Sequence, residues 1–166
     1  MKKKNMLRMG VIISIAIFIL MPLLSSPVAA TFVSIHYADT DNTPAGPTAT
    51  ITPPTTTEIK HSGASYANFQ CNYHFKDTNP GGGGSWYYTY MKVQKIDPYD
   101  ENYQEKQFGP ENIGPSGSDI IGELIIQDTY SGTTTWRVWA TLYCEDILTS
   151  VRSNDAKQWD IIVSTD

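Results

Sequence analysis

The sequence predicts an all-β protein: one antiparallel sandwich of about seven strands following an apolar leader. Three observations predict it. Apolar and polar residues alternate with a period of two in several long segments, as in "ANFQCNYHF" and "TTTWRVWATLYCED". Gly- and Pro-rich breaks such as "TNPGGGGS" and "IGPSGS" separate those segments. No stretch of ten or more residues carries the 3.6-residue period of an amphipathic helix.

The first thirty residues are set apart by composition. Lys2, Lys3, Lys4 and Arg8 precede an apolar run from Val11 to Leu24, and the small residues Val28 and Ala30 follow. That is the layout of a signal peptide, with cleavage expected after Ala30. Retention as an anchor is the alternative reading, but the run is shorter than the ~20 residues that span a bilayer comfortably. Residues 31–46 are expected to be an arm or linker, with a short strand signal in the alternation of Val33, Ile35 and Tyr37. Residues 47–166 are expected to form the domain.

Within that domain, "TATIT" (48–52) reads as an edge strand beside the Pro53–Pro54 break. Residues 65–75 form a second strand, with Phe69, Cys71, Tyr73 and Phe75 on one face. "WYYTYMKVQKI" (86–96) is the third, with Trp86 and Tyr88 together on one face. The polar stretch 97–119 reads as a long loop holding at most one short edge strand. Strands over 120–128, 133–146 and 156–165 complete the set; the middle one places Trp136, Val138, Ala140, Leu142 and Cys144 on one face.

Charge narrows the function classes. The leader carries four basic and no acidic side chains, so its removal takes the formal net charge from −5 to −9. A surface this acidic repels phosphate backbones, and nucleic-acid binding is not expected.

Both cysteines lie in the exported part, and an even count in an oxidising compartment favours a disulfide. Cys71 in the second strand, Trp86 in the third and Cys144 in the penultimate one follow the order of immunoglobulin domains. From "PTATITPP" through "CNYHFKDTNPGG" to "WRVWATLYCEDILTSVRSNDAKQWDIIVS", residues 47–165 resemble immunoglobulin-like and PKD-like β-sandwich modules of archaeal and bacterial surface proteins. The resemblance implies an inter-sheet Cys71–Cys144 disulfide and a place on the cell surface or outside it. Two departures stand out: Leu142 occupies the corner-tyrosine position, and the PKD-type Trp-x-Phe-Gly-Asp-Gly signature is missing.

Catalytic patterns are not found. "GGGG" (81–84) leads into a strand without the Lys of a phosphate loop, and "GPSGS" (114–118) lacks the register of a nucleophile elbow. His36, His61 and His74 have no metal-ligand spacing. The chain is therefore expected to be a non-enzyme without a resident cofactor. Asp77, Asn79, Glu145 and Asp146 fall in loops expected at one end of the sandwich and are the candidate calcium ligands. Tyr87, Tyr99, Tyr103, Trp139 and Tyr143 are the candidate exposed aromatics for binding a glycan or a protein. The expected role is a secreted or cell-surface module for adhesion or glycan/protein recognition. The alternative is a structural subunit of an extracellular filament or surface layer, joined by addition of the N-terminal strand to a neighbour.

Overall fold

In a computed structural model, residues 30–61, 65–79, 84–113, 118–128 and 132–165 are described, and nine strands and no helix are found among them. They are β1 (Ala30–Thr43), β2 (Gly46–Thr52), β3 (Glu58–His61), β4 (Ser65–Asp77), β5 (Ser85–Asp97), β6 (Tyr99–Ile113), β7 (Ser118–Asp128), β8 (Thr133–Asp146) and β9 (Arg152–Thr165). Two sheets build a β-sandwich. One has four strands in the order β2-β1-β4-β7, the other five in the order β3-β9-β8-β5-β6. All neighbours are antiparallel except β1 with β4 and β3 with β9. The expected leader, apart from Ala30, lies outside the described residues.

The core follows from the alternation. Phe69, Cys71, Tyr73 and Phe75 of β4 face Met91 and Val93 of β5 and the buried row Trp136, Val138, Ala140, Leu142 and Cys144 of β8. Ile161 and Val163 of β9 are buried as well, and Trp159 packs half-buried beside them. Gly122 of β7 stands opposite Cys71, where any Cβ would lie 2.8 Å from Tyr73 and 2.9 Å from Phe108. Glycine is what lets both rings close over β7.

Three expectations give way. Residues 31–43, expected as an arm, form most of β1, which sits inside the four-stranded sheet, and the hairpin to β2 turns through Gly46 at φ 115°. The period of two in β1 is present but its sense is inverted. Val33 and Tyr37 are exposed, while Ser34, His36, Ala38, Thr40 and Asn42 face the core. The stretch 97–119, expected as a loop, supplies the 15-residue edge strand β6, whose side chains from Glu101 to Gln107 stay in water while Phe108 turns inward. Trp86, the tryptophan of the immunoglobulin-like Cys–Trp–Cys order, is 42% exposed; the tryptophans of the core are Trp136 and Trp159.

The expected disulfide is also absent, and both cysteines are free, buried thiols. Cys144 lies within reach of Ser85 and Thr40. Thr40 pairs with Phe75, four residues beyond Cys71. At ~3.3 Å per residue the thiols are offset by roughly 13 Å along the strands, and a disulfide bridges Cα atoms no more than ~7 Å apart. Burial pushes the Cys71 thiol up to about 12 and Cys144 up to about 11. Thiolates, the reactive form, are thus scarce. Native protein is expected to resist alkylation at pH 8 and to release two reactive thiols in 6 M guanidinium. A mass two protons lower that is restored by reduction would overturn this arrangement.

Candidate functional site

Two places in the fold gather residues singled out by the sequence. The first is the outer face of the five-stranded sheet. β5 alternates cleanly, so Tyr87, Thr89, Met91 and Val93 are buried while Trp86, Tyr88, Tyr90 and Lys92 point outward. The antiparallel register sets Tyr88 opposite Tyr143 and Lys92 opposite Trp139 on β8. Lys92 also pairs with Glu105, and Gln94 with Tyr103, on β6. Tyr88 and Tyr143 stack with ring centroids 4.8 Å apart and an interplanar angle of 21°. The Lys92 ammonium lies 4.0 Å from the Tyr103 ring centre and 5.0 Å from that of Trp139, a cation–π arrangement that holds both rings in place.

Six aromatic rings therefore share one open sheet face: Trp86, Tyr88, Tyr90, Tyr103, Trp139 and Tyr143. Along β5 they recur every second residue, about 7 Å apart. Tyr99, 73% exposed, stands at the start of β6. Tyr87 is not part of this surface. It is buried against Phe75 in a stacked pair, because its place in the β5 alternation is on the core side. The rim is polar and tied down: Arg137 grips Asp160 through two bonds of 2.7 and 2.9 Å, and Arg152 meets Glu145 at 3.0 Å. Trp86, Tyr88 and Tyr90 form the part that the sequence reading did not single out. Their signal, "WYYTY", was visible and its two faces were separated, but which face is dry was not.

The second place is the end of the sandwich where β1, β4 and β8 finish. Asp77 closes β4 and Asp146 closes β8, and both are buried. The buried Asn42 amide joins them, with Nδ2 donating to Asp146 Oδ2 at 2.7 Å and to Asp77 Oδ2 at 3.2 Å. Asn79 Nδ2 donates to the same Asp146 oxygen at 3.2 Å, and the Asn79 backbone N–H donates to Asp77 Oδ1 at 3.0 Å. Thr149 gives its backbone N–H and its hydroxyl to Asp146 Oδ1. The Asn42 amide and then the Thr149 donors hold the Asp146 carboxyl well below the usual carboxylate range.

Of the four candidate calcium ligands, the fold thus brings together Asp77, Asn79 and Asp146. Glu145 is elsewhere: one residue before Asp146, it points to the outer face and bonds Arg152 and the Tyr143 hydroxyl. Among the described residues no group of three His, Cys, Asp or Glu side chains converges as a metal centre. Asn42, the hub of the cluster, lies in the Thr- and Asp-rich segment that reads as linker from sequence alone. No family model and no curated protein matches the chain.

Proposed function

We propose that the chain is a secreted or cell-surface module, non-catalytic, for adhesion or for glycan or protein recognition, with the aromatic face of the five-stranded sheet as its contact surface. The observation that carries this reading is the set of six rings on one open face, framed by ordered charge pairs. Aromatic faces stack on the C–H faces of sugar rings and shed ordered water in doing so, while flanking polar groups reach the hydroxyls. A flat face about three rings long along β5 suits an extended glycan chain better than a single sugar. The immunoglobulin-like reading draws support from a five-stranded sheet whose first strand, β3, runs parallel to the last, β9.

The test is binding to a panel of soluble polysaccharides, by affinity electrophoresis and then calorimetry. Trp139→Ala and Trp86→Ala are expected to weaken binding about tenfold or more each, the range of aromatic hot spots, with unchanged melting curves. Binding that survives both substitutions, or no binding to any polysaccharide, would dispose of this reading.

The runner-up is a structural subunit of an extracellular filament or surface layer. It draws on the outer face of the four-stranded sheet, where Val33, Tyr37, Tyr66, Ile121 and Ile125 are exposed together. Assembly by strand addition would require β1 to leave a ladder that runs from Ala30 opposite Ser65 to Asn42 opposite Asp77. Concentration-dependent sedimentation that is lost in Ile121→Lys would favour that role.

A further inference from the structure

Among the described residues, the cations beside the aromatic rings are Lys92, Arg137 and Arg152, and each is already engaged. The Lys92 ammonium lies over Tyr103 at 4.0 Å and Trp139 at 5.0 Å, on a residue that pairs with Glu105. Both oxygens of Asp160 hold Arg137, at 2.7 and 2.9 Å, and Glu145 holds Arg152 at 3.0 Å. A sulfate, phosphate or carboxylate on a ligand would have to break one of these arrangements to gain a cation of its own.

The hydrogen-bond acceptors are in the opposite condition. Tyr90 donates its hydroxyl to Glu105 Oε2, and Tyr143 and Arg152 both donate to Glu145 Oε2. A carboxylate offers about four lone-pair sites, so both side chains keep acceptor capacity beyond these bonds. Glu105 is exposed and Glu145 half-buried. Uncharged groups complete the face: β9 sets the exposed amides of Gln158 opposite Trp139 and of Asn154 opposite Tyr143. The wider field acts in the same direction. The formal net charge is −5 over the whole chain and −9 without the leader, so a polyanion is repelled before it reaches the rings.

We infer that the ligand of this face is an uncharged polysaccharide, whose hydroxyls donate to Glu105 and Glu145 and meet the amides of Asn154 and Gln158 while its C–H faces lie on the rings. This ligand class presupposes the glycan reading given above and narrows it. Hydroxyl-to-carboxylate bonds are charge-assisted and therefore strong for a neutral partner. Uronate-bearing and sulfated chains meet carboxylates without a spare cation, and are rejected by the same groups.

Matched polymers that share a backbone and differ in charge test it. Dextran against dextran sulfate, and hydroxyethylcellulose against carboxymethylcellulose, join the polysaccharide panel, with affinities measured at about 20 and about 300 mM NaCl. Uncharged members are expected to bind, with their anionic counterparts at least about tenfold weaker and the neutral affinity changing less than about twofold with salt. Glu105→Gln keeps the side chain's shape on an exposed edge strand. It should weaken neutral binding about threefold to tenfold and leave the melting curve unchanged. Neutral binding unaffected by Glu105→Gln would overturn the assignment. So would an anionic member bound at least as tightly as its neutral counterpart. In that case the glycan reading stands if Trp139→Ala abolishes the binding, and falls as well if it does not. A panel in which nothing binds would end both.

Discussion

Lowering the pH from 7.5 to 4 is expected to cost the protein about 3 kcal/mol of stability through a single residue, His36. This side chain lies in the core on β1, beside Cys71 in register and 4.9 Å from the Trp159 ring. Burial lowers its pKa from 6.5 to about 4. The fold thus favours the neutral ring, and between those two values the unfolded chain binds the extra proton. Stability from this group is complete above pH 6.5, falls as the pH drops toward 4, and changes no further below that. A shift of about 2.5 pH units corresponds to roughly 3 kcal/mol. The carboxylates of Asp146, Asp155 and Asp160, all lowered, add their losses at still lower pH. Urea unfolding at pH 7.5, 5.5 and 4 measures the slope, and His36→Phe, which keeps a ring against Trp159, should flatten it. A slope unchanged in that variant would show that the acid sensitivity originates elsewhere.

Phe69→Ala is expected to destabilise by about 3–5 kcal/mol, the range for emptying an aromatic site in a packed core. Phe69 is 1% exposed and joins three strands: it meets Phe32 of β1 edge-on at 5.7 Å and Trp136 of β8 at 5.8 Å. Each aromatic pair contributes about 0.5–1.5 kcal/mol beyond its buried area. Trp86→Ala, on the open face, should fall within ~0.5 kcal/mol of wild type. Equilibrium urea unfolding compares the two. Similar midpoints for both variants would mean that the sandwich core is not centred on Phe69.

The comparison of sequence with structure turns on which residues had water on one side. Strand β8 was legible to the residue and β4 to within two residues at its end, because each buries one face and their apolar positions repeat without interruption. β6 was hidden because an edge strand keeps both polar faces wet, so its pattern is that of a loop, and among its described side chains only Phe108 marks the inner side. β1 was hidden for the opposite reason. Its inner face carries the buried polar residues Ser34, His36, Thr40 and Asn42, so no apolar alternation marks it. The loop-end cluster was legible in Asp77, Asn79 and Asp146. Its hub was not, since nothing local to Asn42 announces a partner 104 residues away. The aromatic face was legible in Trp139 and Tyr143. Assigning Tyr87 to it failed because adjacent aromatics in "WYYTY" populate both faces, and alternation alone does not say which one is dry.

The parallel seat of β3 beside β9 bears on the order in which the chain acquires its shape. β3 has four residues and a single sheet neighbour, and that neighbour begins only at Arg152. Ile51 likewise gives its backbone N–H to Asp155, across 104 residues. β3 therefore has no sheet edge to join until the last strand is synthesised, and completion of the five-stranded sheet must await the whole chain. The final fourteen-residue strand is the latch that seats β3 and closes the five-stranded sheet.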